Sequence, residues 1–410
     1  MYDAAATPWS TFADRPPRRV DTPAVSCSAL RDFETPVPPF SPPSPQTASK
    51  LRNDLAASVV WIRMDLDSFL DYPGRFRLVR KIAEGGMATV YEAEQLGPAG
   101  FTKRTALKVI HSHYAKQGEF LQLFVDEAKL SANLVHGNVV QIYQLGEVSG
   151  RYFIAMEYIQ GPTLRSIIDT HRDARTPMPP TLAAYVASRV CRALDFAHNF
   201  VDARGRRLDI VHRDVSPGNV MATWDGHIKL ADFGIAKART SIDPAESRPM
   251  MMGKKHYMSP EQMLGLAVDA RSDVFSLGVV LFEMLALTPL FHEDITELAI
   301  DEVAVEPIPN LHSLIPGLDP ELEQILALAL EKDPARRPTA AAMGRALDSW
   351  CLAQNETGTP DRLQDHLHTI FPATYAPPSP KDGEAPSFSV LRAANGAGMM
   401  GWWKRMVGSI

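Results

Sequence analysis

The chain has 410 residues, of which 45% are hydrophobic, and a formal net charge of −6 at pH 7. Such a composition is typical of a globular protein with room for one large or two medium domains. The mixed charges exclude a basic nucleic-acid surface and an acidic tail. The three cysteines, Cys27, Cys191 and Cys351, are widely spaced and odd in number. They favour free thiols in a reducing compartment over disulfides or a zinc site.

The two ends of the chain differ in composition from its centre. Residues 1–72 contain proline-rich text such as PVPPFSPPSPQ and are predicted to be disordered, because they cannot bury enough apolar surface. The alternative is that translation starts at Met64. Residues 353–410 are again rich in Pro, Gly and Ala and are predicted to form a disordered tail. The alternatives for its tip, MMGWWKRMVGSI, are a docking peptide or contact with a membrane interface.

Neither end carries a membrane signal. The N-terminus lacks the basic and apolar pattern of a signal peptide. No segment reaches the about 18 apolar residues that a transmembrane helix needs. We therefore expect a cytoplasmic protein without a transmembrane segment.

The first half of the central region, 73–352, shows the period-2 pattern of strands from Phe76 onward. One segment among them, GEFLQLFVDEAKLSANLV, has apolar residues at helical spacing. The predicted strands are FRLVRKIA, TVYEAEQ, KRTALKVIH, VVQIYQLGE and RYFIAMEYI. A five-stranded antiparallel sheet with one helix is the simplest arrangement.

After Gly161-Pro162 the pattern becomes helical. Only NVMATW and HIKLAD, joined by the hairpin signal Asp225-Gly226, are predicted strands in this half. The predicted helices are LRSIIDTH, TLAAYVASRVCRALDFAHNFV, DVFSLGVVLFEMLAL, ELEQILALALEK and AAAMGRALDSWCLA. The sequence thus predicts an α+β fold with a small β-rich lobe, a larger helical lobe and a ligand cleft at their junction.

A glycine turn, Glu84-Gly85-Gly86-Met87, separates the first two strands. A strand follows it, which argues against a dinucleotide-binding turn, and no GxxxxGK[ST] P-loop is present. A turn without bulky side chains can place backbone N–H groups over phosphates, although an ordinary β-turn is the alternative.

Lys108 lies within the third strand, where a buried ammonium needs a partner. Glu127, in the middle of the following helix, is the candidate. The alternative is that both side chains lie on the surface.

The second lobe carries a cluster of polar residues. His212-Arg213-Asp214 precedes Asn219 by the spacing HRDxxxxN, and Asp232-Phe233-Gly234 follows one hairpin later. Two carboxylates and an amide oxygen reached from one cleft suit Mg²⁺ bound to phosphates. The joint occurrence of HRDxxxxN, DFG and an upstream strand lysine is highly specific.

These motifs resemble the eukaryotic-like serine/threonine protein kinases of bacteria. The resemblance implies a bilobal protein kinase fold that transfers the γ-phosphoryl group of Mg-ATP to serine or threonine hydroxyls of protein substrates. It implies that Asp214 is the catalytic base, that Lys108 holds the α- and β-phosphates and that Glu127 positions Lys108. Asn219 and Asp232 match the magnesium ligands.

The resemblance also implies the residues around the nucleotide. Met156 resembles the gatekeeper, and Glu157-Tyr158-Ile159 the hinge whose backbone bonds adenine. The implied nucleotide-binding positions are Ile82, Ala83, Glu84, Gly85, Gly86, Met87, Ala88, Thr89, Val90, Ala106, Lys108, Met156, Glu157 and Ile159.

Three further positions resemble structural residues of the family. Ser259-Pro260-Glu261 stands where Ala-Pro-Glu is expected, and Arg337 resembles the arginine that pairs with this glutamate. Asp273 resembles the helix aspartate that braces the catalytic loop. Loss of any of them is expected to impair folding before chemistry.

The chain departs from the family pattern at four positions. Ala83 and Ala88 replace two loop glycines, from which we expect altered nucleotide affinity. Ser216 replaces a lysine, and Lys254 replaces a threonine. We hypothesise that hydroxyl and ammonium have exchanged places, so that both residues are catalytic together with Asp214. A double-mutant cycle tests this, and two independent changes are the alternative.

Arg213 beside the catalytic aspartate resembles the residue that binds activation-loop phosphate. The sequence predicts autophosphorylation, with possible self-association, at Thr240, Ser241 or Ser247. A constitutively ordered loop is the alternative. Two rival functions remain, a pseudokinase scaffold and a small-molecule phosphotransferase.

Overall fold

The computed structural model describes residues 75–115, 118–148, 151–233, 255–291, 307–354 and 358–372. All of them belong to the unit Pro73–Ile410. The predictions for residues 1–72, Lys254, the three candidate phosphorylation sites and the tip of the tail lie outside the described residues. Within the described ranges, no helix combines the length and apolar character needed to cross a membrane.

The first lobe is built on the five-stranded antiparallel sheet that the sequence predicts, in the order β1-β2-β3-β5-β4. The strands are β1 (Arg75–Glu84), β2 (Ala88–Leu96), β3 (Thr102–Ile110), β4 (Ile142–Val148) and β5 (Arg151–Glu157). Side chains alternate between the two faces of a strand. Phe76, Leu107 and Phe153 accordingly pack together in one buried cluster.

Two helices follow β3, α1 (Ser112–Ala115) and α2 (Gly118–Ser131). Phe124 and Ala128 of α2 pack with Ile110 and Ile154 of the sheet. Residues four apart share one face of a helix. Glu127 lies next to Ala128 on this helix, and its side chain is 12% exposed. The apolar contacts thus hold α2 in the position that brings Glu127 to the sheet.

The second lobe is mostly helical, as predicted. Its helices are α3 (Leu164–Ala174), α4 (Pro180–His198), α5 (Pro260–Met263), α6 (Ala270–Ala286), α7 (Leu311–Leu314), α8 (Pro320–Ala329), α9 (Ala340–Ala353) and α10 (Pro360–Ile370). Every residue of α6 from Ser272 to Leu285 is buried. A helix that is apolar on nearly all sides forms the centre of a lobe.

Two short strands, β6 (Val220–Ala222) and β7 (Ile228–Leu230), form the predicted hairpin. Gly226 at its tip has φ +80°, a conformation that other residues adopt at a cost. A Cβ atom there would also lie 1.9 Å from the carbonyl oxygen of Pro360. The hairpin sequence therefore serves both the turn and the contact with α10.

Helix α10 lies inside the segment 353–410 that the sequence predicts to be disordered, and for these residues the prediction is wrong. Thr359 caps the helix by accepting a hydrogen bond from the backbone N–H of Arg362, and Leu363 and Leu367 are fully buried. A helix of this length is marginal by itself. It is stabilised by its contacts with the second lobe.

The imidazoles that join α10 to α3 belong to His171 and His366. Their rings stack, with the two Nε2 atoms 2.9 Å apart. Burial, together with the neighbouring His171, lowers the pKa of His366 to about 4. This histidine pair therefore remains uncharged at neutral pH and joins the two helices without a buried charge.

Replacing Leu363 by alanine is expected to lower the free energy of unfolding by about 2–5 kcal/mol, because it leaves a cavity under α10. Denaturant unfolding followed by circular dichroism measures the change. Leu352→Ala is the control, since that side chain is 75% exposed. Equal stability of the two variants would contradict the docking of α10.

Candidate active site

Lys108 joins the two lobes. Its Nζ atom lies 2.8 Å from Oε1 of Glu127 on α2 and 3.0 Å from Oδ1 of Asp232, which follows β7. The Lys108 side chain is 16% exposed. In the sheet, Lys108 pairs with Ile154 and so shares the face of β3 that packs against α2. The surface alternative is therefore wrong, and the predicted partner is confirmed.

The carboxylates determine the charge of this lysine. Burial acts to lower the pKa of Lys108, but the nearby Asp232 and Glu127 carboxylates outweigh it and hold the pKa above its ordinary value. The ammonium is therefore protonated at neutral pH. A cation of this kind is suited to binding a polyphosphate.

The catalytic loop brings Asp214 and Asn219 together. Nδ2 of Asn219 donates to Oδ2 of Asp214 at 2.9 Å and to its backbone carbonyl at 2.8 Å. The backbone N–H of Ala231 donates to the carbonyl of Asn219 at 2.8 Å. His212 is fully buried and its Nε2 lies 3.1 Å from the Ala231 carbonyl. These bonds fix the loop against the segment that carries Asp232.

Asp273 of α6 holds the backbone of the catalytic loop by hydrogen bonds, as the resemblance implies. Its carboxylate accepts hydrogen bonds from the backbone N–H groups of His212 at 2.8 Å and Arg213 at 2.7 Å. His198 donates a third through Nε2, at 2.8 Å. Arg213 has φ 62° and Asp232 has φ 53°. A non-glycine residue in this region costs about 1–3 kcal/mol, and it persists when surrounding contacts hold it.

Glu261 and Arg337 form the ion pair that the sequence predicts. The guanidinium donates to Oε1 and Oε2 of Glu261 at 2.6 and 2.8 Å, and the arginine side chain is fully buried. Its remaining N–H groups donate to the carbonyls of Glu331, Lys332 and Arg271. Burial acts to raise the pKa of Glu261, but the hydrogen bonds from Arg337 and Ser272 hold it below its usual value.

The predicted phosphate loop lies at the turn from β1 to β2. The backbone N–H of Gly85 donates to the carbonyl of Ala88 at 2.9 Å, and Ala83, Val90 and Lys108 lie opposite one another on three adjacent strands. Neither Ala83 nor Ala88 has a positive φ. Alanine is therefore unstrained at both positions.

A cavity between the lobes is bounded by some of the predicted residues. Among the described residues its lining is Lys108, Glu127, Ser131, Val140, Ile142, Ile154, Met156, Leu230, Asp232 and Phe233. Of these, Lys108, Glu127, Met156 and Asp232 are predicted site residues. Ala106 pairs with Met156 across β3 and β5, and Ile159 is buried beyond the hinge.

The sequence analysis missed the apolar and hydroxyl lining of this cavity. Ser131, Val140, Ile142, Ile154, Leu230 and Phe233 lie in predicted strands, the predicted helix or the DFG motif. Strand alternation showed which residues share a face, but not which face meets a ligand. Ser216 is buried, whereas its hypothetical partner Lys254 lies outside the described residues.

Comparisons with known proteins identify several relatives of the chain. Tyrosine-protein kinase MasK of Myxococcus xanthus (strain DK1622) is 37% identical over 287 residues, which are 70% of this chain and 44% of that protein. Serine/threonine-protein kinase PrkC of Bacillus subtilis (strain 168) is 35% identical over 265 residues, 64% of this chain and 38% of the relative. The chain thus spans less than half the length of these curated relatives.

A solved structure, the kinase domain of Mycobacterium tuberculosis PknI, covers 72% of this chain and 95% of its own length, with 27% identity and a TM-score of 0.47. Residues 76–347, well over half of the chain, match the family model described as the protein kinase domain. The chain belongs to the protein kinase domain family.

Proposed function

We propose that the chain is a serine/threonine protein kinase that uses Mg-ATP. The observation that carries the proposal is the meeting of Lys108 with Glu127 and Asp232 beside the joined pair Asp214 and Asn219. In a phosphoryl transfer, most of the catalysis comes from positioning and charge stabilisation. The arrangement places the Lys108 cation, the Asp232 carboxylate and the catalytic loop with Asp214 at one cleft.

The donor set fits a magnesium ion held mainly by phosphate oxygens. Because Nδ2 of Asn219 donates to Asp214, the other amide atom, Oδ1, is the potential ligand. Asp232 would supply a carboxylate oxygen. Magnesium, when bound, neutralises charge on the phosphates. Lys108 would bind the α- and β-phosphates and Glu127 would orient its ammonium.

The acceptor hydroxyl would lie next to Asp214. The oxygen of this hydroxyl forms a bond to the γ-phosphorus of ATP. The bond between that phosphorus and the bridging oxygen breaks, and ADP leaves. The hydroxyl proton passes to the Asp214 carboxylate. Asn219 holds that carboxylate by its hydrogen bond, and Asp273 holds the loop backbone.

Acceptance of tyrosine is a second candidate. A relative that is 37% identical is named a tyrosine-protein kinase, and Ser216 is shorter than the lysine of serine/threonine kinases. Exchange of roles between Ser216 and Lys254 is a hypothesis: Ser216→Lys and Lys254→Thr should each lower label transfer, and the double variant should recover part of it. Hydrolysis of the phosphorylated product to phosphoamino acids distinguishes serine and threonine from tyrosine.

Location and partners are also proposals. A cytoplasmic location is supported by Cys191 and Cys351, which are both free thiols. The pKa of Cys351 is raised by burial to about 11, so its thiol is un-ionised and inert at neutral pH.

Protein substrates and self-association during autophosphorylation are proposed from the family. The net charge of −6 supports the absence of a nucleic-acid partner.

Transfer of label from γ-labelled ATP to a generic protein substrate tests the proposed activity. Wild type should transfer label with Mg²⁺, and Lys108→Met should lower the rate about 10²–10³-fold, because a charge stabiliser is lost. Lys103→Met is the control, since this β3 lysine lies over the Tyr143 ring, 3.5 Å from its centroid. Nucleotide binding without label transfer by wild type would favour the pseudokinase alternative.

A further inference from the structure

The hinge residue Glu157 makes contacts that its predicted role does not require. It ends β5 and pairs with Thr105 of β3. Its backbone N–H donates to the carbonyl of Gln141 at 2.8 Å, and its Oε2 accepts from the backbone N–H of Gln141 at 3.1 Å. Glu157 is therefore joined twice to the segment that precedes β4.

The partner of the Glu157 carboxylate is Lys229 of β7. Its Nζ atom lies 2.9 Å from each of the two carboxylate oxygens. The Lys229 side chain is 16% exposed and that of Glu157 is 25% exposed. Ile228 and Leu230 on either side are buried, so the alternation of the strand turns Lys229 towards the hinge.

Strand β7 is hydrogen-bonded to the segment that contains Val140, a residue of the cavity lining. The backbone N–H of Leu230 donates to the carbonyl of Asn138 at 2.8 Å, and that of Val140 donates to the carbonyl of Leu230 at 2.9 Å. Two residues after Leu230 the chain reaches Asp232. The ion pair therefore connects the hinge with β7, the strand that leads to the candidate metal ligand Asp232.

A mostly buried ion pair acts differently from a surface pair. Salt screens it less, but the cost of removing two charges from water offsets much of its Coulomb energy. Its contribution is thus to fix one arrangement of the groups it joins. Here those groups are the hinge backbone and β7.

We propose that Glu157 and Lys229 are positioning residues for the adenine base of the nucleotide. The proposal rests on the proposed function, in which the hinge backbone bonds adenine. Hydrogen bonds to a base edge depend steeply on distance and angle. Adenine presents an exocyclic amine where guanine presents a carbonyl oxygen. Because the ion pair fixes the position of the hinge backbone, the hydrogen-bonding groups of that backbone match the edge of adenine and not that of guanine. The triphosphate is bound elsewhere, at Lys108 and the β1–β2 turn.

The test compares nucleotides rather than activity alone. Glu157→Gln, Lys229→Gln and the double variant are titrated with Mg-ATP and with Mg-GTP by calorimetry. We expect each variant to bind Mg-ATP about 3- to 10-fold more weakly, the factor that corresponds to one weakened hydrogen bond. Mg-GTP affinity should stay unchanged, so the ATP-to-GTP ratio falls. The double variant should lose no more than either single one, since both changes remove the same pair.

Kinetics and a matched pair complete the design. In label transfer, KM for ATP should rise while kcat changes little, because the reacting groups are untouched. The control pair is Arg77 and Glu94 on β1 and β2, an ion pair whose arginine is 63% exposed. Arg77→Gln and Glu94→Gln should leave the ATP-to-GTP ratio unchanged.

Two results would overturn the inference. One is an equal loss of affinity for both nucleotides, which indicates a general structural role for the pair. The other is an unchanged affinity for both nucleotides in all three variants. Failure of wild type to bind Mg-ATP would instead refute the proposed function itself, and only the wild-type titration shows this.

Discussion

Asp214→Asn is expected to lower kcat for phosphoryl transfer about 10²–10⁴-fold, the range of a lost general base. Asparagine keeps the size of the side chain and an oxygen that can accept the hydrogen bond from Nδ2 of Asn219. It cannot take up the proton of the acceptor hydroxyl. Because Lys108, Glu127 and Asp232 remain in place, Mg-ATP affinity should change little.

Initial rates with γ-labelled ATP and a separate nucleotide titration check both parts of this prediction. Asp209→Asn is the control, since Asp209 approaches the same loop but its side chain is 71% exposed and pairs with Arg207. Transfer by Asp214→Asn at the wild-type rate would show that Asp214 is not the base. A rate that falls only in proportion to lost nucleotide binding would indicate a folding defect.

Arg337→Met is expected to lower the free energy of unfolding by about 3–5 kcal/mol, because it leaves the Glu261 carboxylate buried without its counter-charge. Arg337 is fully buried and donates to both oxygens of that carboxylate. Its N–H groups also donate to three backbone carbonyls, and the substitution removes these hydrogen bonds. Denaturant unfolding at neutral pH measures the loss.

The pH dependence separates this cause from a simple cavity. In wild type the pKa of Glu261 is lowered, so the pair contributes stability above the ordinary glutamate pKa, about 4.3. That contribution is lost as pH falls through the lowered folded pKa. In the variant, burial raises the pKa of Glu261, and protonation relieves the unpaired charge. The difference between the two proteins should therefore shrink in acid.

Arg336→Met serves as the control for Arg337→Met. Arg336 is adjacent in sequence, but its side chain is 68% exposed. One of its guanidinium nitrogens, Nη2, lies 3.5 Å from Oε1 of Glu331. An exposed pair contributes about 0–1 kcal/mol. If the two variants lost similar stability, or if the difference between Arg337→Met and wild type did not depend on pH, the account of the buried pair would be wrong.

The sequence by itself determined the order of the described strands and of helices α2, α3, α4, α6, α8 and α9, and the residues of the catalytic loop. Period-2 alternation identified the five strands of the sheet, and the spacing from His212 to Asn219 and on to Asp232 identified the loop. These patterns are local, since each depends on residues within one element or one turn. The lysine in a strand also predicted a partner, because a buried ammonium requires one.

The tertiary structure decided which other distant groups meet, beyond the pair Glu261 and Arg337 that the resemblance implies. Lys108 and Asp232 are separated by 124 residues, and the pairing of Glu157 with Lys229 spans 72. Such contacts depend on how the lobes pack, which no local pattern encodes. Helix α10 shows the same limit, since a capped segment of eleven residues with two leucines is marginal until the second lobe covers those leucines. Local periodicity specifies elements, while burial against the rest of the fold decides which of them are stable and where their charges lie.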